Sequence, residues 1–165
     1  MPEGPIQFHL RSFRPEDQQI CQHLYSEGIT VGKLADNDSG LDIDDINSAY
    51  MKPEGNHFWV AETEGKVVGM IGVMLSDGTG EIRRLRVADG YRRRGIGTAL
   101  LKQAVEFCRE NNYLKVAIDT YVDRNPALQL LEENHYKLGT TRSYGGKELL
   151  VFYLDIYSSE SKDGE

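Results

Sequence analysis

Residues 81–101 read EIRRLRVADGYRRRGIGTALL, and six arginines, Arg83, Arg84, Arg86, Arg92, Arg93 and Arg94, fall within twelve of these residues, followed by Gly95 and Gly97. The chain as a whole is acidic, with a formal net charge of −7, so this density of positive charge answers a local demand. A strand that ends in a glycine-bearing turn and opens a helix makes an anion site. The unpaired N–H groups of the first helical turn point outward, and the peptide dipoles add partial positive charge there. Glycines at 95 and 97 let the backbone approach a ligand where a Cβ would stand in the way. Arg92, Arg93 and Arg94 place full charges beside the same opening, and together these features suit a pyrophosphate.

The spacing Gly-x-Gly-x-x-Leu lacks the third glycine of a dinucleotide fingerprint, and no Gly-Lys-Ser/Thr follows as a P-loop requires. What remains is Arg-x-x-Gly-x-Gly, here Arg92, Gly95 and Gly97, between a strand and a long amphipathic helix. In this the sequence resembles the GNAT superfamily of acetyl-coenzyme A-dependent N-acetyltransferases, and the likeness covers nearly the whole chain. The resemblance implies an α/β fold. Its mixed central sheet would have an antiparallel first half and a parallel centre at strands 4 and 5, with about four flanking helices. It also implies acetyl-CoA as co-substrate. The backbone of Arg92, Arg93, Arg94, Gly95, Ile96, Gly97 and Thr98 would bind the pyrophosphate. The backbone of Leu85 and Val87 would pair with the pantetheine arm, and an N–H near Val87 would meet the oxyanion formed in transfer. Arg84 and Arg86 are read as pointing away from Arg83, Leu85 and Val87, as surface residues.

Acetyl transfer to an amine requires a neutral nitrogen, whereas a primary alkylamine is mostly protonated near pH 7. A base beside the thioester is therefore useful. Glu81 lies eleven residues before Arg92, the spacing of the general-base glutamate in the histone acetyltransferase branch of the superfamily. By strand alternation it is expected on the face of Arg83, Leu85 and Val87. It is assigned as catalytic, the competing role being an ordinary carboxylate paired with an arginine. Arg83 is a candidate for holding an acceptor carboxylate. The superfamily often has a tyrosine on its last helix that returns a proton to the leaving thiolate, but here Leu131 stands at that position and His135-Tyr136 replace Gly-Phe. Tyr121 and Tyr136 are nearby phenols, of which Tyr136 is taken as catalytic, with a packed aromatic as the alternative for either. Asn125 falls one place from the family's coenzyme-contacting asparagine, and a helix N-cap explains it equally.

The acidic balance argues against a nucleic-acid or anionic-membrane partner. His9, His23, His57 and His135 are scattered without ligand spacing, so no metal is expected. Cys21 and Cys108 do not make a disulfide framework. No basic leader opens the chain and no apolar run reaches about 18 residues, so a cytoplasmic location is the expectation. Residues 1–157 are read as one domain and 158–165 as a polar tail.

These residues must be held by a recognisable set of elements. IQFHLRSF alternates as a first strand, and RPEDQQICQHLYSEG follows as a helix stopped by Gly28. LDIDDINSAYM reads as a helix N-capped by Asp42, with Leu41 and Ile46 as its hydrophobic staple and Ile43, Ile46 and Tyr50 on one face. HFWVAETEGKVVGMIGVML gives two strands about a Glu64-Gly65 turn. TGEIRRLRV is a strand with Ile82 on one face and Leu85 and Val87 on the other. Leu100, Leu101, Ala104, Val105 and Cys108 form the stripe of the strongest helix. LKVAIDT suits a buried parallel strand, Asn125-Pro126 opens a short helix, and KLGTTRSY with KELLVFYLDIY forms a closing hairpin.

The functional expectation is an enzyme that acetylates a primary amine by direct transfer in a ternary complex, with a small-molecule acceptor. A non-catalytic acyl-CoA sensor is the alternative. Five aspartates between Lys33 and Asp45 favour a cationic acceptor, whereas Arg83 favours an amino acid, and a homodimer is compatible with either.

Overall fold

The computed structural model describes residues 6–31, 40–121, 131–144 and 147–156. The chain forms strand β1 (His9–Ser12), a 3-10 turn at Pro15–Asp17 and helix α1 (Gln18–Val31). Helix α2 (Leu41–Asp44) and a π-helical turn (Asn47–Met51) follow, then β2 (His57–Thr63), β3 (Lys66–Ser76) and β4 (Thr79–Val87). Helix α3 (Ile96–Glu110) leads to β5 (Lys115–Tyr121), and β6 (Lys137–Tyr144) and β7 (Lys147–Leu154) close the sheet. The strand order is β1-β2-β3-β4-β5-β7-β6, with β4 and β5 parallel and their neighbours antiparallel. This is the expected mixed α/β sheet. The tight turn between β2 and β3 puts Glu64 and Gly65 at φ 51° and 75°, which is the hairpin geometry that matches strand twist.

Two apolar layers sandwich the sheet. On one face, α3 lays Ile96, Leu100, Leu101, Ala104, Val105 and Cys108 against Trp59, Ile71, Val73 and Ile82, all buried. The stripe expected from the 3.6-residue period is the stripe observed. On the other face, Cys21 and Leu24 of α1 join Ile43, Ile46 and Tyr50 over Phe58, Val60 and Met70. Gly72 makes this second contact possible, because a Cβ there would come within 2.7 Å of the Tyr50 ring and 2.8 Å of Phe58.

Three local expectations are corrected. Helix α1 runs through Gly28 to Val31. Gly40, at φ 69°, precedes α2 as its N-cap, while Asp42 sits within the first turn with its carboxylate engaged elsewhere. Leu41 is exposed and makes no staple. The Asn125-Pro126 helix and the 158–165 tail lie outside the described residues.

Candidate active site

Strand β4 pairs with β3 through Gly72↔Arg83 and then Met70↔Arg86, so Arg84 and Leu85 together oppose Ile71. This is a β-bulge, and Arg84 takes it up with φ 60°, a left-handed conformation costing a non-glycine residue roughly 1–2 kcal/mol. The bulge inverts the alternation expected beyond it. Ile82 and Val87 both face α3, since Ile82 opposes Val73, and Gly69 opposite Val87 points at Ile96 and Leu100. Leu85 packs with them. Glu81, Arg83 and Arg86 oppose Met74, Gly72 and Met70, which belong to the α1–α2 face. Glu81 therefore shares a face with Arg83 but not with Leu85 and Val87.

Arg84 is likewise no surface residue. Its side chain is 10% exposed and its guanidinium donates two hydrogen bonds to Asp42, Nε to Oδ2 at 2.8 Å and Nη2 to Oδ1 at 2.5 Å. The Tyr50 hydroxyl donates to Asp42 Oδ2 at 2.6 Å. Burial alone would raise the Asp42 carboxyl, but the Arg84 and Tyr50 hydrogen bonds outweigh it and hold it below the ordinary aspartate value. Tyr50, buried and beside this anion, is pushed well above the usual phenol range. The guanidinium carbons of Arg84 and Arg86 lie 5.0 and 5.8 Å from the centre of the Tyr25 ring. Strand alternation alone missed this brace, whose parts are 42 residues apart.

The parallel β4–β5 ladder runs only from Thr79↔Lys115 to Ile82↔Ile118. Past it, β4 continues along β3 while residues 119–121 of β5 continue along β7. The two central strands thus part company at the bulge, leaving a slot with Glu81 and Arg83 on one side of the sheet and Leu85 and Val87 on the other. Two carbonyls along the β4 margin already accept side-chain donors, Leu85 from Arg86 Nη1 at 3.0 Å and Val87 from Arg92 Nε at 3.2 Å.

Beyond β4 the turn reaches α3 through Gly90 (φ 89°), Arg93 (φ 64°) and Gly95 (φ 86°). Gly95 is the N-cap of α3, and its carbonyl takes the Ala99 N–H at 3.0 Å. No side chain caps this end and no carboxylate occupies the first turn, so the N–H groups of Ile96, Gly97 and Thr98 lack an intrahelical acceptor. An open cavity of about 290 Å³ lies against Gly90, Arg92, Arg93 and Arg94. The Arg94 guanidinium leans over Tyr91, 5.9 Å from its centroid.

Glu81 and Arg83 form an ion pair at 2.8 Å, their side chains 36% and 45% exposed. Tyr136 is placed differently from its expected role. It is 5% exposed, inside the α3-side core, and its hydroxyl is buried without a hydrogen-bond partner among the described residues. Burial, and then Cys108, raise its phenol well above the usual range. The hydroxyl is thus enclosed beside Cys108, at the far end of α3 from the turn, and the ring packs in the α3-side core. Leu131 is buried in the same cluster. Asn125 lies outside the described residues.

The chain with this parting of parallel strands beside an uncapped, arginine-lined helix start belongs to the acetyltransferase (GNAT) family, whose profile matches residues 18–136. Among curated relatives, N-acetylaspartate synthetase of Danio rerio is 38% identical over 129 residues, 75% of this chain and 45% of that protein. N-acetyltransferase 8 of Homo sapiens is 36% identical over 102 residues, 58% of this chain and 45% of that protein. The chain thus spans less than half the length of these relatives. Among solved structures, a GNAT-family acetyltransferase of Staphylococcus aureus Mu50 superposes with a TM-score of 0.79 at 18% identity, covering 91% of this chain and 99% of that one. The yncA protein of Salmonella typhimurium, solved with acetyl-CoA, superposes with a TM-score of 0.76 at 16% identity, covering 90% and 94%. At those identities the likeness is one of fold.

Proposed function

We propose that the chain is an acetyl-CoA-dependent N-acetyltransferase that acylates the primary amine of a small molecule within a ternary complex. The observation that carries this reading is the end of the β4–β5 ladder at Ile82↔Ile118, directly upstream of the uncapped start of α3. The names of the curated relatives support acetyl transfer to an amine.

Acetyl-CoA supplies the activated acetyl thioester. Its diphosphate fits the amides of Ile96, Gly97 and Thr98, which the positive φ of Gly95 turns outward, with Arg92, Arg93 and Arg94 providing charge. The backbone of Leu85 and Val87 offers a margin for the pantetheine arm, on which Arg86 and Arg92 yield the carbonyls they now occupy. The acceptor reaches the slot from the α1–α2 face, where Glu81 lies. There Glu81 takes the proton that the amine nitrogen loses as its C–N bond forms and the thioester C–S bond breaks; the sulfur leaves as CoA and takes its proton from solvent. Because the sheet lies between the two binding faces, both reactants can be held at once.

The test is thiol release from acetyl-CoA over a panel of small amines, with Glu81→Gln beside the wild type. We expect the variant to bind acetyl-CoA normally and to lose roughly 10²- to 10⁴-fold in kcat. An unchanged rate removes Glu81 from the mechanism, and absence of turnover with every amine removes the enzymatic reading.

A further inference from the structure

The Glu81–Arg83 pair stands out from the other ion pairs of this face. Arg84 and Asp42 are almost enclosed and hold each other in a bidentate grip, with Tyr50 as a third member. Glu81 and Arg83 meet through one contact at 2.8 Å with more than a third of each side chain in solvent. An exposed pair of this kind is worth at most about 1 kcal/mol and exchanges readily. It also stands where β4 leaves β5, two residues apart on one strand face, so the carboxylate and guanidinium are carried on Cα atoms about 7 Å apart. Side by side they present one negative and one positive group, the complement of a molecule carrying an amine and a carboxylate a few bonds apart.

Building on the N-acetyltransferase reading, we infer that the acceptor is an amino acid and that its carboxylate displaces Glu81 from Arg83. Arg83 opposes Gly72, and the Tyr50 ring fills the space above that glycine, so the arginine stem rises beside a rigid wall. A guanidinium binds a carboxylate through two parallel donors, a stronger arrangement than the one hydrogen bond that joins Arg83 to Glu81. The exchange has a consequence for catalysis. While Arg83 holds Glu81, that hydrogen bond competes with the amine for the carboxylate. Once the acceptor carboxylate has taken Arg83, Glu81 turns to the amine that the same molecule delivers. Arg83 thus couples recognition of the carboxylate to release of the base, and a plain amine lacks the group that makes the switch.

The measurement compares an amino acid with its own carboxamide at equal concentrations of neutral amine, across several side chains, in wild type and Arg83→Ala. Wild type is expected to favour the acid by at least roughly tenfold in kcat/KM, and CoA-saturated protein to bind the acid more tightly than the amide by calorimetry. Arg83→Ala should lose roughly 10- to 100-fold with the acid while the amide is turned over as well as before or faster, because Glu81 is then unoccupied. The KM for acetyl-CoA should not change. Equal use of acid and amide by wild type overturns the inference and leaves the N-acetyltransferase reading intact. A parallel fall for both acceptors in Arg83→Ala also overturns it, since a merely structural arginine behaves that way. If that variant does not fold, the wild-type comparison and its calorimetry decide alone. If acetyl-CoA binds and no amine of either kind is acetylated, the enzymatic reading falls and this inference falls with it.

Discussion

Arg84 is held in a backbone conformation that its side chain disfavours, and the energy that offsets this comes from across the chain. An almost enclosed guanidinium–carboxylate pair loses about 3 kcal/mol or more when one partner is removed, well above the roughly 1–2 kcal/mol of a left-handed residue. Asp42 therefore keeps the bulge in place, and the bulge sorts Arg83 from Leu85. The carboxyl of Asp42 is depressed in the fold, so its contribution is complete above the ordinary aspartate value of about 3.9 and is lost as pH falls through the lower folded value. Asp42→Asn should accordingly be less stable than wild type near neutrality, and the gap in melting temperature should close as pH falls from about 5 to about 2. A gap of constant size over that range would mean that the carboxylate charge is not what holds Arg84. None of this was legible from strand alternation, which put Arg84 at the surface. A positive φ at an arginine depends on a partner 42 residues earlier, and no local pattern announces it.

The elements were far easier to read. The stripe of α3 and the Glu64-Gly65 hairpin depend on neighbours within a few residues, and both stand where periodicity and turn chemistry predict them. The turn before α3 was legible for the same reason. The coenzyme-binding role we propose for it rests on Gly95, whose φ of 86° a Cβ disfavours even though the surrounding space is open. Gly95→Ala should cost about 1 kcal/mol of stability and weaken acetyl-CoA several-fold by turning the first helical amides. Arg92→Ala removes both a phosphate-side charge and the Nε–Val87 contact; its loss of acetyl-CoA affinity should be larger at low salt than at high salt. Titrations at two ionic strengths check this, and a salt-independent loss would assign Arg92 to holding the turn alone. The helix over Gln18–Val31 outran its expected stop because burial of Cys21 and Leu24 outweighs the modest penalty of Gly28.

At the scale of the molecule the sheet acts as a partition that opens where the β4–β5 ladder ends. The expected fold put β4 and β5 parallel in the centre, and they are. Which side chains meet at their parting was not implied, because one extra residue reverses every side chain after it. Tyr136 shows the same limit, since its position near the end of a helix pattern said nothing of its enclosure against Cys108. In the mechanism we propose, a diphosphate cup on one margin and Glu81 and Arg83 on the opposite face bring two reactants to one slot. The most direct measurement is a calorimetric titration of the full chain with acetyl-CoA, repeated on Gly95→Ala and Arg92→Ala. The account predicts saturable binding at a single site in the wild type, weakened in both variants. No response at millimolar acetyl-CoA, or equal affinity in all three proteins, would contradict it.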